Sequence, residues 1–310
     1  VYTGAVIKSV SREIRSVYSG SSAVLSPTVA ALLLAICALV LVACAPREVS
    51  VEVSPARGPS EARVLFLAGP DSHGPWAHEH RDGSALLAAD LQRRWPGIEV
   101  IQVSGGWPDD EALFDGINAL VIYCDGGEGH LVNSHLGTFN RLLDQGVGVA
   151  ALHYAVEVPR DTAAAAAMLR ATGGYFETDW SVNPHWEADF RSLPSHPVTQ
   201  GIEPFTMDDE WYFNMRFQPD EQGVTPLLVA IPPAHTMKRA NGPHSGNDTV
   251  RKMVQAGLPQ TLAWAYERDN GGRGFGFTGG HYHANWQNDN ARNLVVNAIA
   301  WLAGVGSAVE

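Results

Sequence analysis

Histidine is unevenly spread along this 310-residue chain, and its clusters share a pattern. One apolar segment runs into Asp71-Ser72-His73-Gly74-Pro75-Trp76-Ala77-His78-Glu79-His80, and another into Cys124-Asp125-Gly126-Gly127-Glu128-Gly129-His130. A third stops at His153-Tyr154 and a fourth at Gly279-Gly280-His281-Tyr282-His283, so seven of the twelve histidines follow apolar runs. Imidazole titrates near neutrality and can donate, accept or ligate a metal, while the neighbouring glycines let the backbone approach a ligand. Asp208-Asp209-Glu210-Trp211-Tyr212 adds carboxylates that can accept hydrogen bonds from hydroxyls and aromatics that can stack on a ring. The chemistry indicated is proton transfer or metal ligation. His153, His281 and Glu210 are the candidate acid–base groups. His73, His80, His130, Asp209, Trp211 and His283 are candidate substrate contacts, with His78 and His283 equally able to face solvent. A divalent metal such as zinc is a candidate cofactor, with His73, His153 and His281 as candidate ligands. His78-Glu79-His80 lacks the four-residue separation of a zinc-binding HExxH helix, so a metal-free site is an equal expectation.

Rigid elements must hold these groups. Arg63–Ala68, Ile98–Val103, Ala119–Tyr123 and Val147–Leu152 read as short apolar strands, with helical spacing over Ser84–Arg94 and Leu136–Leu143. Strands alternating with helices indicate an α/β fold with a mostly parallel central sheet. The stretch 154–262 is less regular, with a helix expected over Thr162–Arg170 and strands over His185–Phe190, Glu210–Phe217 and Thr225–Ile231. Thr261–Glu267 and Gly274–Phe277 read as a final strand pair, and Asn290–Leu302 as an amphipathic helix. Open α/β sheets bind ligands outside the carboxyl ends of their strands, where the histidine clusters fall.

The amino-terminal stretch differs in kind. Val29–Ala45 is an unbroken apolar run, preceded by Lys8, Arg12 and Arg15 and closed by Pro46-Arg47. Its last residues, Leu41-Val42-Ala43-Cys44, resemble the lipobox of bacterial lipoproteins. Residues 1–44 are therefore expected to be a signal peptide, with Cys44 acylated and 45–62 a flexible tether. The folded domain is then 63–304, followed by a tail at 305–310. A lipid-anchored protein of the bacterial envelope follows, at the periplasmic face of the outer membrane in a Gram-negative host. Beyond that run only Cys124 remains, so the domain is expected to rely on its core rather than on a disulfide. As a nucleophile, Cys124 would be hindered by its acidic neighbours Asp125 and Glu128. A net charge of −12 without a basic cluster argues against a nucleic-acid partner. Neither GxGxxG nor a P-loop follows a strand, so no nucleotide cofactor is expected, and a GxSxG elbow is missing.

Taken in order, Gly69–Gly83, Gly105–Pro108, Cys124–His130, Val147–Pro159, Gly173–Trp186, Ser195–Gly201, Asp209–Tyr212 and Gly272–Trp286 resemble the ThuA-like (trehalose utilisation) family. The resemblance implies a flavodoxin-like sandwich related to class I glutamine amidotransferases and a link to carbohydrate breakdown. It also implies that amidotransferase chemistry is lost. His153 holds the place of the nucleophilic cysteine, and His283 the place of the carboxylate two residues beyond the triad histidine, which His281 resembles. The family's association with oxidised sugars suggests a sugar or 3-keto-glycoside as substrate, with isomerase, lyase and hydrolase reactions all open. A non-catalytic carbohydrate-binding protein and a metal-dependent hydrolase are the alternatives.

Overall fold

Three consecutive-pairing strands are buried over nearly their whole length, which places them inside a sheet covered on both faces. The computed structural model describes residues 48–306, and all that follows concerns these. In chain order the elements are β1 (Ser50–Ser54), β2 (Ala62–Ala68), α1 (His80–Arg94), β3 (Ile98–Ser104), β4 (Ala119–Tyr123), α2 (Leu136–Asp144), β5 (Gly148–Leu152) and α3 (Ala163–Thr172). There follow β6 (Gly174–Tyr175), β7 (Trp186–Phe190), β8 (Phe205–Asp209), β9 (Arg216–Phe217), β10 (Val224–Ala230), α4 (Asp248–Gln255), β11 (Gln260–Glu267), β12 (Arg273–Phe277) and α5 (Asp289–Leu302).

The main sheet has eight strands in the order β1-β3-β2-β4-β5-β12-β11-β10. Its parallel centre, β3-β2-β4-β5-β12, is the 2-1-3-4-5 arrangement of flavodoxin-like folds, with the switch point between β2 and β4. Alternation along each strand feeds two cores. Val64, Phe66, Val121 and Leu152 pack with Leu87 and Leu91 of α1 and Leu294 and Ile299 of α5. Leu65, Leu67, Ile122 and Val149 face the other way, toward Leu142 of α2 and Met168 of α3. The central register aligns the carboxyl ends in one row: Ala68 opposes Tyr123, Tyr123 opposes Leu152, and Leu152 opposes Phe277.

Three expectations are corrected. The stretch 45–62 is not wholly a tether, because Ser50–Ser54 pairs antiparallel with β3, Ser50 opposite Ser104 and Ser54 opposite Val100. Its Ser-Val-Glu-Val-Ser alternation is a strand pattern, although both faces of this edge strand stay exposed. The strand expected over Glu210–Phe217 is not formed: β8, which pairs with β7, ends at Asp209, and an irregular stretch leads to the two-residue β9. Trp211, Tyr212 and Phe213 are all buried in succession, which an alternating strand on one core face does not allow. Helix α4 was not anticipated; Asn247 caps it, and only Val250 and Val254 are buried. The signal sequence and Cys44 lie outside the described residues. Among the described residues no helix is long and apolar enough to cross a membrane.

Candidate functional site

The aligned strand ends deliver three imidazoles to one point. His153 follows β5 directly, His281 lies four residues beyond β12, and His78 comes from the loop between β2 and α1. His78 Nε2 is 3.1 Å from His153 Nε2 and 3.0 Å from His281 Nδ1. His281 Nδ1 is 3.3 Å from His153 Nε2 and 3.3 Å from Glu210 Oε2. One ligand atom from each of these four residues lies within 4.8 Å of the other three.

Outer partners decide which nitrogens carry protons. His153 Nδ1 is 2.9 Å from the carbonyl of Thr278, which can only accept, so Nδ1 donates and Nε2 presents a lone pair. His78 Nδ1 is 3.1 Å from Asp125 Oδ1 and donates to it, which leaves His78 Nε2 bare as well. Burial pushes both pKa values down, with the Asp125 hydrogen bond opposing this at His78, which favours the neutral form of both rings. Burial alone would raise the Asp125 carboxyl, but hydrogen bonds from His78 and Ser72 outweigh it and hold the group below its usual range. Two lone pairs thus face each other at 3.1 Å, a repulsive contact unless a proton or a cation joins them. The Tyr212 hydroxyl is 3.1 Å from His153 Nε2 and 3.2 Å from Glu210 Oε2 and has one proton to give. Three imidazole nitrogens and a carboxylate, with a carboxylate and a carbonyl behind two of the rings, form a donor set that suits zinc or a similar ion.

Strained backbone aims these rings. His73, His78 and His153 have φ of 61°, 48° and 53°, a left-handed conformation costing a non-glycine residue roughly 1–2 kcal/mol. It persists because the loops are tied down. Asp209 accepts hydrogen bonds from the backbone N–H groups of Gly280 (2.7 Å), His281 (3.1 Å) and Glu210 (2.8 Å). The Tyr123 hydroxyl donates to the Gly280 carbonyl, and the His78 N–H donates to the His281 carbonyl at 3.0 Å.

Of the residues singled out from the sequence, the structure brings His153, His281 and Glu210 together. His73 lies at the rim of this cluster, and the other six do not enter it. His73 is half-exposed on the rim, its ring 3.8 Å from that of His78 and 6.4 Å from that of His281, with its Nδ1 3.8 Å from Asp125 Oδ1. It groups with His78 and Asp125, and His78 takes the place expected for His73 beside His153 and His281. His80 is fully buried, and its Nδ1 donates to the Pro70 carbonyl at 2.8 Å. His130 is buried with both nitrogens spent, Nε2 donating to the Ala155 carbonyl and Nδ1 accepting from the Val132 N–H. Burial lowers the pKa of both His80 and His130 to about 4. Asp209 is a buried clamp for backbone amides rather than a substrate contact. Trp211 cannot stack on a ligand, because it is fully buried between Phe190 and Phe277 with its indole N–H on the Met207 carbonyl. His283 stands apart, 3.6 Å from the Glu79 carboxylate. Cys124 is buried, and burial pushes its thiol up to about 12.

Sequence reasoning missed His78 as a central group, and with it Asp125, Tyr212 and His185. His185 is half-exposed, its ring 5.0 Å from that of His281 and its Nε2 3.8 Å from Glu210 Oε1. Asp125 had a usable signal, since it lies two residues past the end of β4 at the switch point of the sheet.

Comparison with known proteins agrees with this fold. The family described as ThuA, trehalose utilisation, matches residues 73–302. A protein from Bacteroides uniformis described as ThuA-like superposes with a TM-score of 0.56 at 14% identity, covering 80% of this chain and 94% of its own. One from Parabacteroides merdae, described in the same way, gives 0.54 at 15% identity, covering 83% and 93%. A glutamine amidotransferase from Thermotoga maritima gives 0.41 at 7% identity, covering 78% and 98%. No curated relative matches in sequence. With the family match extending over most of the domain, from the histidine loop after β2 to the last helix, this chain belongs to the ThuA, trehalose utilisation, family.

Proposed function

We propose that the protein is a metal-dependent enzyme of carbohydrate breakdown, acting by proton transfer on a sugar or 3-keto-glycoside. The observation that carries this reading is the convergence of two lone-pair-bearing nitrogens, on His78 and His153, with His281 and Glu210 beside them. His78, His153 and His281 would hold the ion, the three-ligand pattern of catalytic zinc sites that leaves a position open. Bound there, a divalent ion acts as a Lewis acid on a sugar oxygen. Glu210 is the proton acceptor: its Oε2 borders the three nitrogens and accepts from the Tyr212 hydroxyl, and it is the least buried of the four groups. His73 and His185, both half-exposed, line the approach and supply donors for sugar hydroxyls. Amide transfer through a thioester has no nucleophile here, since His153 follows β5 and Cys124 is buried.

The test is metal analysis of the purified protein together with turnover of 3-keto-glycosides before and after chelation. About one equivalent of metal per chain and loss of turnover on its removal are expected. Unchanged turnover in metal-free protein would refute the metal role, and sugar binding without turnover would leave a carbohydrate-binding protein. Envelope anchoring through Cys44 is part of the same proposal and rests on the Leu41-Val42-Ala43-Cys44 run.

A further inference from the structure

A second carboxylate–histidine pair stands across two tyrosines from the metal-ligating histidines. Glu157 follows the 3-10 turn that begins at His153, and only 2% of it is exposed. Its carboxylate accepts from the Thr178 hydroxyl at 2.9 Å and from His244 Nε2, which lies 2.9 and 3.0 Å from its two oxygens. His244 has φ of 57°, a left-handed conformation held at both ends. Its N–H donates to the Thr178 carbonyl at 2.7 Å, and its own carbonyl accepts from the Asn183 N–H at 3.2 Å. With Nε2 bound to the carboxylate, Nδ1 has no protein partner among the described residues, and the side chain is partly exposed.

Two aromatic paths connect this pair to the centre. The His244 ring packs on Phe176 (5.5 Å), Phe176 on Tyr212 (5.2 Å), and the Tyr212 hydroxyl touches His153 and Glu210. On the other side, the Tyr154 ring is 5.8 Å from that of His78. A Cβ on Gly127 would lie 3.8 Å from both the Tyr154 hydroxyl and Glu157 Oε1, so hydroxyl and carboxylate border the same glycine. The hydrogen bond that His244 donates to Glu157 raises the His244 pKa, which favours the doubly protonated ring.

We infer that His244, oriented by Glu157, is a second proton-transfer group of the same site, donating from Nδ1 to the leaving oxygen of a glycoside whose keto group sits at the His78–His153–His281 end. This rests on the reading of the site as a keto-glycoside enzyme. In a 3-keto-glycoside the carbon between the carbonyl and the anomeric carbon bears an acidified hydrogen. Glu210 takes that proton, and the C–H electron pair forms the double bond to the anomeric carbon. The anomeric C–O bond breaks with its pair passing to the leaving oxygen, which receives the His244 proton. The products are an unsaturated keto-sugar and an alcohol, and no oxidant or reductant is consumed. Glu157 fixes the ring by accepting from Nε2, as in other carboxylate-oriented histidines.

The experiment uses the metal-loaded full chain and two 3-keto-glucosides, one with an alkyl and one with a 4-nitrophenyl leaving group. A nitrophenolate departs without a proton, whereas an alkoxide does not. His244→Gln should lower turnover of the alkyl substrate by about 10²–10⁴-fold, slow the nitrophenyl substrate far less, and leave metal content at the wild-type level. Glu157→Gln should show the same leaving-group pattern more weakly, and it carries the test if His244→Gln does not fold. Equal losses on both substrates, or none on either, would overturn the inference while the metal reading stands. A metal-loaded wild-type protein that turns over neither substrate overturns both.

Discussion

Asp125 offers the sharpest probe of the proposed metal centre because, of the three imidazoles there, it hydrogen-bonds only to His78. Its Oδ1 accepts from His78 Nδ1 at 3.1 Å and from the Ser72 hydroxyl at 2.7 Å. Asp125→Asn keeps the shape and an oxygen that can accept both bonds, so the His78 ring keeps its tautomer and only the negative charge is lost. Asp125→Ala removes the acceptor, and His78 is then free to turn its other nitrogen inward. Outer partners of metal-binding histidines are worth about 10–100-fold in metal affinity, or about 1.4–2.7 kcal/mol. The Asn variant is expected near the lower figure and the Ala variant near the upper one. The assay is competition for zinc against a chromophoric chelator at fixed pH, checked by the metal-dependent rise in Tm, which should shrink in the same order. Affinities of both variants within twofold of wild type would show that Asp125 does not orient a ligand, and His78 would fall out of the centre with it.

Further outcomes follow from the same geometry. Glu210→Gln should keep metal content and lose about 10²–10⁴-fold in turnover, whereas His153→Ala and His281→Ala should lower metal content itself; metal loss in Glu210→Gln would make the carboxylate a ligand instead. The Glu157 bond raises the His244 pKa above its usual 6.5, so this pair adds stability that is full below that pH and lost as pH rises through the raised value. Tm measured across that range should therefore fall more steeply in wild type than in His244→Gln, and parallel curves would refute the linkage. Cys44→Ser should release the protein from membranes or block its processing, and a variant that stays membrane-bound at normal mature mass would remove the lipid anchor.

The parallel centre of the sheet was legible because its strands are short, continuous apolar runs, and strand ends in such sheets are where ligands gather. Four histidine clusters at four strand ends therefore pointed to the edge where His78, His153 and His281 converge. Choosing among His73, His78 and His80 lay beyond the sequence. The choice depends on left-handed turns at His73, Trp76 and His78, and these non-glycine residues carry no compositional mark of that conformation. Asp209 and Trp211 are fully buried while Glu210 between them reaches the site. Trp211 invited a stacking role because an indole suits a sugar face as well as a core. Edge strand β1 carries the alternation of a strand, but its five residues bury almost nothing and lie in a Pro- and Ser-rich stretch that matched a tether.

The single row of strand ends also has a kinetic consequence. His78 and His153 are separated by 75 positions along the chain and His153 and His281 by 128, so the ligand set does not exist until the parallel sheet has closed from β2 to β12. Contacts of such sequence separation form late, after the loop entropy between them has been overcome. If the proposed site takes an ion, only a nearly finished molecule would capture it, and the ion would not serve as a template for folding. Its stabilisation would be absent from the folding transition state and would slow unfolding instead. Refolding would start from the apolar strands at the same rate with or without metal, and the loaded molecule would gain persistence rather than speed.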